Sequence, residues 1–186
     1  MALGSTFGRR RRALGSGVLE ALPMRERITV RVLLFDPDGR ILLMKGRLPS
    51  RPDAPGAWFT VGGGADPGET LEACARREIA EETGFAEVEL GPAVWRREGA
   101  GALVGGEAAL FKETYLVAHC AGGEPSRAGW MDYEHELIDD IRWWTVAEVL
   151  ASAEPIYPER LRELLPDIAA GRYPAEPVEI TVVVVG

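Results

Sequence analysis

The sequence predicts an α/β fold of the α+β kind, in which a central mixed β-sheet is layered between helices. Two observations support this prediction. Segments of β-branched or alternating apolar residues recur along the chain, and helical patterns lie between them, separated by glycine- and proline-rich turns. The length of 186 residues and the 46% hydrophobic content fit one globular domain with additional residues at its ends.

The first half of the chain is predicted to form a hairpin, a loop and a third strand. The sequence Asp-Pro-Asp-Gly at 36–39 is typical of a tight turn, and three prolines argue against regular structure in Arg47–Ala57. The predicted strands of this half are Ile28–Phe35, Arg40–Lys45 and Trp58–Val61.

A helix is predicted over Glu69–Thr83, where Ala, Glu and Arg dominate. Thr70 or Asp66 would cap its start, and Gly84 occupies the C′ position at which helices commonly end. Cys74 falls in the middle of this helix, and we expect it to be a small core residue.

The second half is predicted to alternate strands and helices. Strands are predicted at Ala86–Trp95, Ala108–Cys120 and Ile141–Trp144, and helices at Val146–Ala151 and Pro158–Ala170. The stretch Gly99–Gly106 is interpreted as a flexible loop. The β-branched run Ile180–Val185 either adds an edge strand or contacts a partner. We therefore expect a basic, flexible tail over residues 1–24, a folded domain over 25–172, and a proline-rich linker with an apolar strand over 173–186.

Charge is unevenly distributed along the chain, whose formal net charge is −8. Residues 1–27 carry +4, largely from Arg9–Arg12, and the remainder carries −12. An acidic body repels the nucleic-acid backbone and suits a site that collects divalent cations. The arginine run is compatible with an RNA-binding or targeting patch, but we favour a solvated tail, because no apolar segment of useful length follows it.

Two features bear on the cellular setting. No stretch approaches the roughly 20 apolar residues that span a bilayer, so we expect no membrane partner. The cysteines, Cys74 and Cys120, have no metal-binding spacing and provide no disulfide framework. A cytoplasmic, reduced location is therefore expected.

Three glutamates of the predicted helix are the candidate catalytic groups. Glu78, Glu81 and Glu82 are spaced i, i+3 and i+4, which places them within roughly 100° of arc on one helix face. Their like charges repel one another, and a bound cation would remove that repulsion. Hard divalent ions such as Mg²⁺ prefer carboxylate ligands. The alternative is an ordinary solvated helix face.

Neighbouring residues complement these glutamates. The three glycines at 62–64 permit positive φ and close backbone approach, so that a carbonyl can reach a metal or an amide can reach a phosphate. Arg77 lies four residues before Glu81 and can orient it, and Glu69 at the predicted helix start is favoured by the helix dipole. The glycine triplet by itself is also common in ordinary loops.

The stretch 63–85 resembles the Nudix box. Gly63 is followed by five residues and Glu69, then by seven residues and the sequence Arg-Glu-Ile-Ala-Glu-Glu-Thr-Gly-Phe at 77–85. Every fixed position of the box is filled, which makes this a specific signal. The resemblance covers about Arg27–Gly171 and implies a Nudix-type α/β/α sandwich with a central mixed β-sheet.

The resemblance implies a Mg²⁺-dependent hydrolase, with Mn²⁺ as an alternative metal. Such an enzyme cleaves a diphosphate linkage in a nucleoside diphosphate derivative or a nucleoside triphosphate by attack of a metal-activated water on phosphorus. The metal ligands that the resemblance implies are Glu78, Glu81, Glu82 and the backbone carbonyl of Gly63. It gives Arg77 and Glu69 the role of orienting those ligands.

The general base is open between two sources. It is either a glutamate of the box or a carboxylate of the acidic stretch Asp132–Asp140, in which Glu134 and Glu136 are the leading candidates. His135, between them, is interpreted as a bystander. The alternative for this stretch is a solvated loop without a catalytic role.

The sequence does not identify the substrate. Subfamily markers are missing from Gly99–Val104, and the aromatic residues Trp58, Phe59 and Trp95 either stack a base or, more typically, belong to the core. We expect a small-molecule nucleotide as partner, no membrane or nucleic-acid partner, and leave a homodimer open. One alternative is a non-catalytic Nudix-like module that binds nucleotides or RNA, which the intact glutamates disfavour. Another is an RNA-end hydrolase that uses the arginine tail, which the acidic body disfavours.

Overall fold

The computed structural model describes residues 24–47, 55–102 and 107–181, without the side chains of Ala102, Tyr133 and Glu134. Three predicted segments lie largely or partly outside the described residues, namely the basic tail, the loop Arg47–Ala57 and the run Ile180–Val185. No helix among the described residues is long and apolar enough to cross a membrane.

Seven strands and four helices form the described part of the chain. The strands are β1 (Arg25–Phe35), β2 (Ile41–Gly46), β3 (Ala57–Thr60), β4 (Val88–Ala102), β5 (Ala108–Cys120), β6 (Ile138–Trp144) and β7 (Val178–Glu179). The helices are α1 (Leu71–Thr83), α2 (Asp132–Leu137), α3 (Val146–Ala151) and α4 (Leu161–Ala169). Helices are therefore interspersed among the strands, as the sequence predicts.

The strands build one mixed sheet around β1 and β5, which run parallel along the whole of β1. β5 pairs antiparallel with β4, β4 pairs parallel with β7, and β2 pairs antiparallel with β3 and β6. Single bridges from Val61 to Val32 and from Gly64 to Thr29 place the segment after β3 alongside β1. The predicted central mixed sheet is confirmed.

The sheet is packed on both faces, because successive side chains of a strand point to opposite sides. On one face α1 covers Val30, Val32 and Leu34 of β1. On the other face α3 and α4 cover Leu33 and Phe35 of the same strand. The chain therefore forms the three-layer α/β/α sandwich that the sequence predicts.

β4 differs from the sequence-based prediction, which ends this strand at Trp95 and makes Gly99–Gly106 a flexible loop. In the structure, residues 99–102 pair with residues 108–111 of β5. Hydrogen bonds to a neighbouring strand override the low strand propensity of glycine. The loop prediction is wrong for residues 99–102, and residues 103–106 lie outside the described part.

The acidic stretch Asp132–Asp140 is also not a loop. Its first six residues form α2, and Ile138–Asp140 begin β6, which pairs with β2. The sheet neighbour is distant in sequence, and so the acidic composition alone did not indicate a strand there.

A short edge strand lies immediately before the predicted run Ile180–Val185, most of which is outside the described residues, so the role of the run stays a prediction. This strand is β7, which begins two residues before the predicted run and pairs with Trp95 and Arg96 of β4. The N–H of Ile180 then donates to the carbonyl oxygen of Arg96 at 2.8 Å, and the Ile180 side chain enters the core.

Candidate active site

Helix α1, which carries the candidate glutamates, is capped at both ends. The hydroxyl of Thr70 caps its start by accepting a backbone N–H of the first turn at 3.1 Å, and Gly84 ends it in the left-handed conformation, with φ 78°. Thr70 is therefore the cap, and Gly84 has its predicted role. The helix begins at Leu71 rather than at Glu69, because the capping residue itself stays outside the helix.

A glycine turn (residues 62–64) links β3 to α1 and lies against β1. Gly62 has φ 125°, and a Cβ at this position would overlap the carbonyl oxygen of Val30. The carbonyl of Gly63 accepts a hydrogen bond from the Val30 N–H at 2.9 Å. These contacts fix the turn to β1 and leave its other side facing α1.

Two glutamates of α1 contact this glycine turn. Glu82 is 8% exposed, and its Oε2 accepts a hydrogen bond from the Gly62 N–H at 2.7 Å. The Glu78 carboxylate lies so close to Gly63 that a Cβ there would overlap it. Burial raises the pKa of Glu78 above its ordinary value, although Arg77 opposes this shift. Both carboxylates therefore lie at the junction of helix and turn.

Arg77 joins three glutamates to the glycine turn. Its guanidinium forms a bidentate pair with Glu69, at 3.0 and 2.9 Å, and donates to Glu78 at 2.7 Å and to the half-exposed Glu81 at 3.1 Å. It also donates to the carbonyl oxygen of Gly64 at 3.1 Å. Hydrogen bonds from Arg77 and from a backbone N–H lower the pKa of Glu69 to about 2. Arg77 therefore contacts three carboxylates at once, including Glu81, whose contact with Arg77 the helix spacing predicts.

Oxygen atoms suited to bind a divalent cation are concentrated where α1 meets the glycine turn. Gly63 lies beside the Glu78 carboxylate, and its carbonyl oxygen accepts from the Val30 N–H and, weakly, from the Cys74 thiol at 3.9 Å. Within the described residues, no trio of acidic, His or Cys side chains already converges on one point, since Arg77 holds Glu78 and Glu81 while Glu82 bonds to the turn. The donor chemistry fits Mg²⁺, which takes a few carboxylates together with water and substrate oxygens.

The candidate general bases Glu134 and Glu136 belong to α2, and Trp130, which precedes this helix, contacts α1. Trp130, two residues before α2, donates from Nε1 to the main-chain carbonyl of Glu82 at 2.7 Å. Glu136 is exposed on α2, and the Glu134 side chain lies outside the described residues. His135 contacts the Trp130 ring with 5.5 Å between ring centroids. The structure thus brings the start of α2 to α1 without a described contact from Glu136 to the cluster.

A second charged group, on the sheet, was not predicted from the sequence. Glu113 of β5 is 7% exposed and accepts hydrogen bonds from Arg31 of β1 at 3.1 Å and from Arg97 of β4 at 2.8 Å. Arg31 also donates to the carbonyl oxygen of Gly62 at 2.8 Å. The signal available in the sequence is an arginine inside the otherwise apolar run Val30–Leu34.

Two further predictions concern buried residues. Trp58 and Trp95 are 2% and 1% exposed, and Phe59 is partly buried against the core on the α1 side, so their interpretation as core residues is confirmed. Cys74 is fully buried in α1, as predicted, and burial raises the pKa of its thiol to about 11.

Comparison with known proteins identifies the family pattern and its extent. A model of the NUDIX domain matches residues 25–168. The RNA pyrophosphohydrolase of Caulobacter vibrioides is 50% identical over 64 residues, which are 34% of this chain and 36% of that protein. The nucleoside triphosphatase NudI of Salmonella heidelberg is 46% identical over 61 residues, which are 33% of this chain and 42% of that protein. The matched segments span less than half the length of these curated relatives.

A solved structure extends the similarity to the whole fold. The crystal structure of a MutT NUDIX hydrolase from Burkholderia pseudomallei superposes with a TM-score of 0.52 at 25% sequence identity. The alignment covers 77% of this chain and 98% of that one, so the sandwich described above is common to both.

Proposed function

Because this chain belongs to the Nudix family, we propose that it is a Mg²⁺-dependent pyrophosphohydrolase acting on a nucleoside triphosphate or a nucleoside diphosphate derivative. The observation that carries the proposal is the burial of two box carboxylates against the glycine turn. The side chain of Glu78 is 12% exposed and Glu82 is 8% exposed. A solvated helix face would leave these carboxylates in water. One arginine, Arg77, contacts three carboxylates, so the group keeps an excess of negative charge that a divalent cation would offset.

We assign the metal to the oxygen ligands at the turn, namely Glu78, Glu81, Glu82 and the Gly63 carbonyl. Bound Mg²⁺ would polarise a phosphoryl oxygen and activate a water molecule as the nucleophile. The chain's own part is to hold the ligands in place. Arg77 orients Glu78 and Glu81, and Glu69 anchors Arg77 through both of its oxygens.

A carboxylate must also accept the proton of the attacking water. Glu81 is accessible for this role because its side chain is 48% exposed. Glu134 and Glu136 are the competing candidates, since α2 begins beside Glu82. Replacing each of the three by Gln and measuring the dependence of kcat/KM on pH separates them. Loss of the acidic limb of the profile in one variant identifies the base.

We propose nucleoside triphosphates as the leading substrate class. The two curated relatives are named as a nucleoside triphosphatase and an RNA pyrophosphohydrolase, so both names describe hydrolysis at a chain of phosphates or a diphosphate. RNA is the second candidate substrate, and the similarity to the RNA pyrophosphohydrolase favours it. The net charge of −12 on residues 28–186 opposes it, because an acidic body repels the RNA backbone.

An activity screen tests this function directly. The full chain is incubated, with and without Mg²⁺, with nucleoside triphosphates, dinucleoside polyphosphates, ADP-ribose, nucleotide sugars, coenzyme A and a triphosphorylated RNA oligonucleotide. We expect Mg²⁺-dependent release of phosphate or pyrophosphate from at least one nucleoside triphosphate. If no compound is cleaved, the proposal fails and a nucleotide-binding module becomes the better description.

Deletion of residues 1–20 separates the two substrate classes. We propose that the catalytic domain occupies residues 25–172, so the deletion should leave the rate on nucleoside triphosphates unchanged. A loss confined to the RNA oligonucleotide would favour the second candidate. A large loss on both substrates would contradict the proposed domain boundary.

A further inference from the structure

The charged group on the sheet (Arg31, Arg97 and Glu113) has more positive than negative charge. Glu113 uses Oε1 to accept from Nε of Arg31 and Oε2 to accept from Nη1 of Arg97. The hydroxyl of Tyr115 also donates to Oε2 at 3.3 Å. Burial favours the neutral form of Glu113, but the two arginines lower its pKa overall, so it is ionised at neutral pH. Two guanidinium groups therefore share one carboxylate.

Stability alone does not account for this charged group. Removing charges from water is costly, and a buried ion pair is often no more stable than well-packed apolar residues of similar volume. Further along the same face, Leu33 of β1 and Val117 of β5 are apolar and fully buried. A cationic group at the end of an otherwise apolar face is the feature expected of a site for an anion.

Gly62 connects this charged group to the glutamates of α1. Its N–H donates to Glu82, and its carbonyl accepts from Nη1 of Arg31. Since both bonds involve backbone atoms of one residue, the Glu82 carboxylate and the Arg31 guanidinium lie within roughly 9 Å of each other. Arg31 also interacts electrostatically with both Glu82 and Glu78. An anion at Arg31 would therefore adjoin the proposed metal site.

The guanidinium groups of Arg31 and Arg77 differ in how many of their nitrogens donate hydrogen bonds within the described residues. All three nitrogens of Arg77 donate, whereas one nitrogen of Arg31 does not. Each nitrogen of the Arg77 guanidinium donates to a glutamate, and Nη2 also donates to the turn. Nη2 of Arg31 makes no hydrogen bond within the described residues. A planar guanidinium with neighbouring free N–H groups matches the oxygens of a phosphate. Thr29, on the same face, adds a hydroxyl that is buried and has no partner in the described part.

We propose that Arg31 binds a phosphate oxygen of the substrate and that Glu113 is the positioning residue of Arg31. The proposal rests on the proposed function, which places the cleaved linkage at Glu78 and Glu82. A diphosphate held there would extend past Gly62 and bring its neighbouring phosphate to Arg31. The ligand class that this arrangement selects is a compound with at least two consecutive phosphates.

Binding of methylenediphosphonate, a diphosphate analogue with a carbon bridge that cannot be hydrolysed, tests the role of Arg31. Calorimetric titration into the full chain with Mg²⁺ compares the wild type with Arg31→Gln, Arg31→Lys and Arg40→Gln. Arg40 is the matched control, because it pairs with Asp36 at 2.7 Å at the other end of β1. We expect Arg31→Gln to weaken binding on the order of 10- to 100-fold, Arg31→Lys to weaken it less, and Arg40→Gln to leave it unchanged.

A merely structural role for Arg31 would change other quantities. If Arg31 only held the glycine turn, the affinity for Mn²⁺ would fall together with the affinity for methylenediphosphonate. We expect the Mn²⁺ affinity of Arg31→Lys to stay at the wild-type value. This variant keeps the positive charge, and so it is the one that is less liable to unfold. Equal methylenediphosphonate affinity in the wild type and the Arg31 variants would overturn the proposal. The proposal would also be overturned if the wild type did not bind methylenediphosphonate.

The positioning role of Glu113 is tested by a double-mutant cycle. Glu113→Gln should weaken methylenediphosphonate binding several-fold in the wild-type background and have no further effect in the Arg31→Gln background, because Glu113 acts through Arg31. Additive effects of the two substitutions would contradict this role. If the wild type binds the analogue through Arg31 yet hydrolyses no diphosphate compound, the proposed function fails and the phosphate site stands.

Discussion

The two sides of the glycine turn differ in their ratio of acids to arginines. On the α1 side, one arginine, Arg77, holds three glutamates, and the neighbouring Glu82 adds a fourth carboxylate. On the sheet side, one glutamate, Glu113, holds two arginines. The first group therefore has excess negative charge and suits a cation, and the second has excess positive charge and suits an anion. The charge on the α1 side of Gly62 therefore complements a metal ion, and the charge on the sheet side complements a phosphate.

The largest expected effect comes from removing one charge on the acidic side. Glu82→Gln keeps a carbonyl that still accepts from the Gly62 N–H, and Glu78→Gln likewise preserves shape. We expect kcat to fall by at least roughly 10³-fold in either variant, since metal-ion stabilisation of the transition state amounts to several kcal/mol. Steady-state hydrolysis at saturating Mg²⁺ measures this fall. Glu72→Gln, exposed in the first turn of α1, is the matched control, and wild-type turnover in both test variants would be incompatible with the assignment.

A smaller loss is expected when Arg77 is replaced. Arg77→Gln leaves the glutamates in place but removes the group that orients them, and loss of a partner that orients a metal ligand typically costs about 10- to 100-fold in activity or metal affinity. The neighbouring Arg76→Gln serves as control, because Arg76 donates to the carbonyl of Val88 instead. Equal kcat/KM in the two variants would remove Arg77 from the site.

The link between the two sides is tested by Gly62→Ala. Its positive φ and the overlap of a Cβ with the Val30 carbonyl predict a decrease of about 3 kcal/mol in the free energy of unfolding. Gly39→Ala is the comparison, because Gly39 has φ 72° but open space around it, so only about 1 kcal/mol should be lost. Urea unfolding of both variants measures the difference, and an equal loss would show that the close approach at Gly62 is unimportant.

The smallest effect is expected in acid. The pKa of Glu69 is about 2, and that of Glu113 is also below its ordinary value of 4.5. A carboxyl with a lowered pKa in the folded state stabilises the fold above the unfolded pKa, and this stabilisation is lost as pH falls through the folded pKa. We therefore expect Glu69→Gln and Glu113→Gln each to flatten the decline of Tm below pH 4.5. An unchanged decline in both variants would argue against these ion pairs.

The sequence predicts the α1 side well because its features depend on residues close together in the chain. The caps at Thr70 and Gly84, the shared face of the three glutamates and the contact of Arg77 with Glu81 all follow from helix spacing. The bidentate pair between Arg77 and Glu69 was harder to predict from the sequence, because Glu69 lies outside the helix and eight residues before Arg77.

The sheet side could not be predicted in the same way because it joins distant residues. Arg31 and Glu113 are 82 positions apart and meet only through the parallel register of β1 and β5. The same limit explains the length of β4, whose last residues are strand only because β5 pairs with them. Local composition there favours a loop, and tertiary pairing overrides it.

Direct metal binding tests the central assignment most directly. Titration with Mn²⁺, followed by the paramagnetic resonance signal of the free ion, compares the wild type with Glu82→Gln and with the exposed control Glu72→Gln. If the α1 glutamates hold the metal, the wild type and Glu72→Gln bind Mn²⁺ with equal affinity, and Glu82→Gln binds it at least about 10-fold more weakly. Equal affinity in all three proteins would contradict the assignment of the metal site to these glutamates.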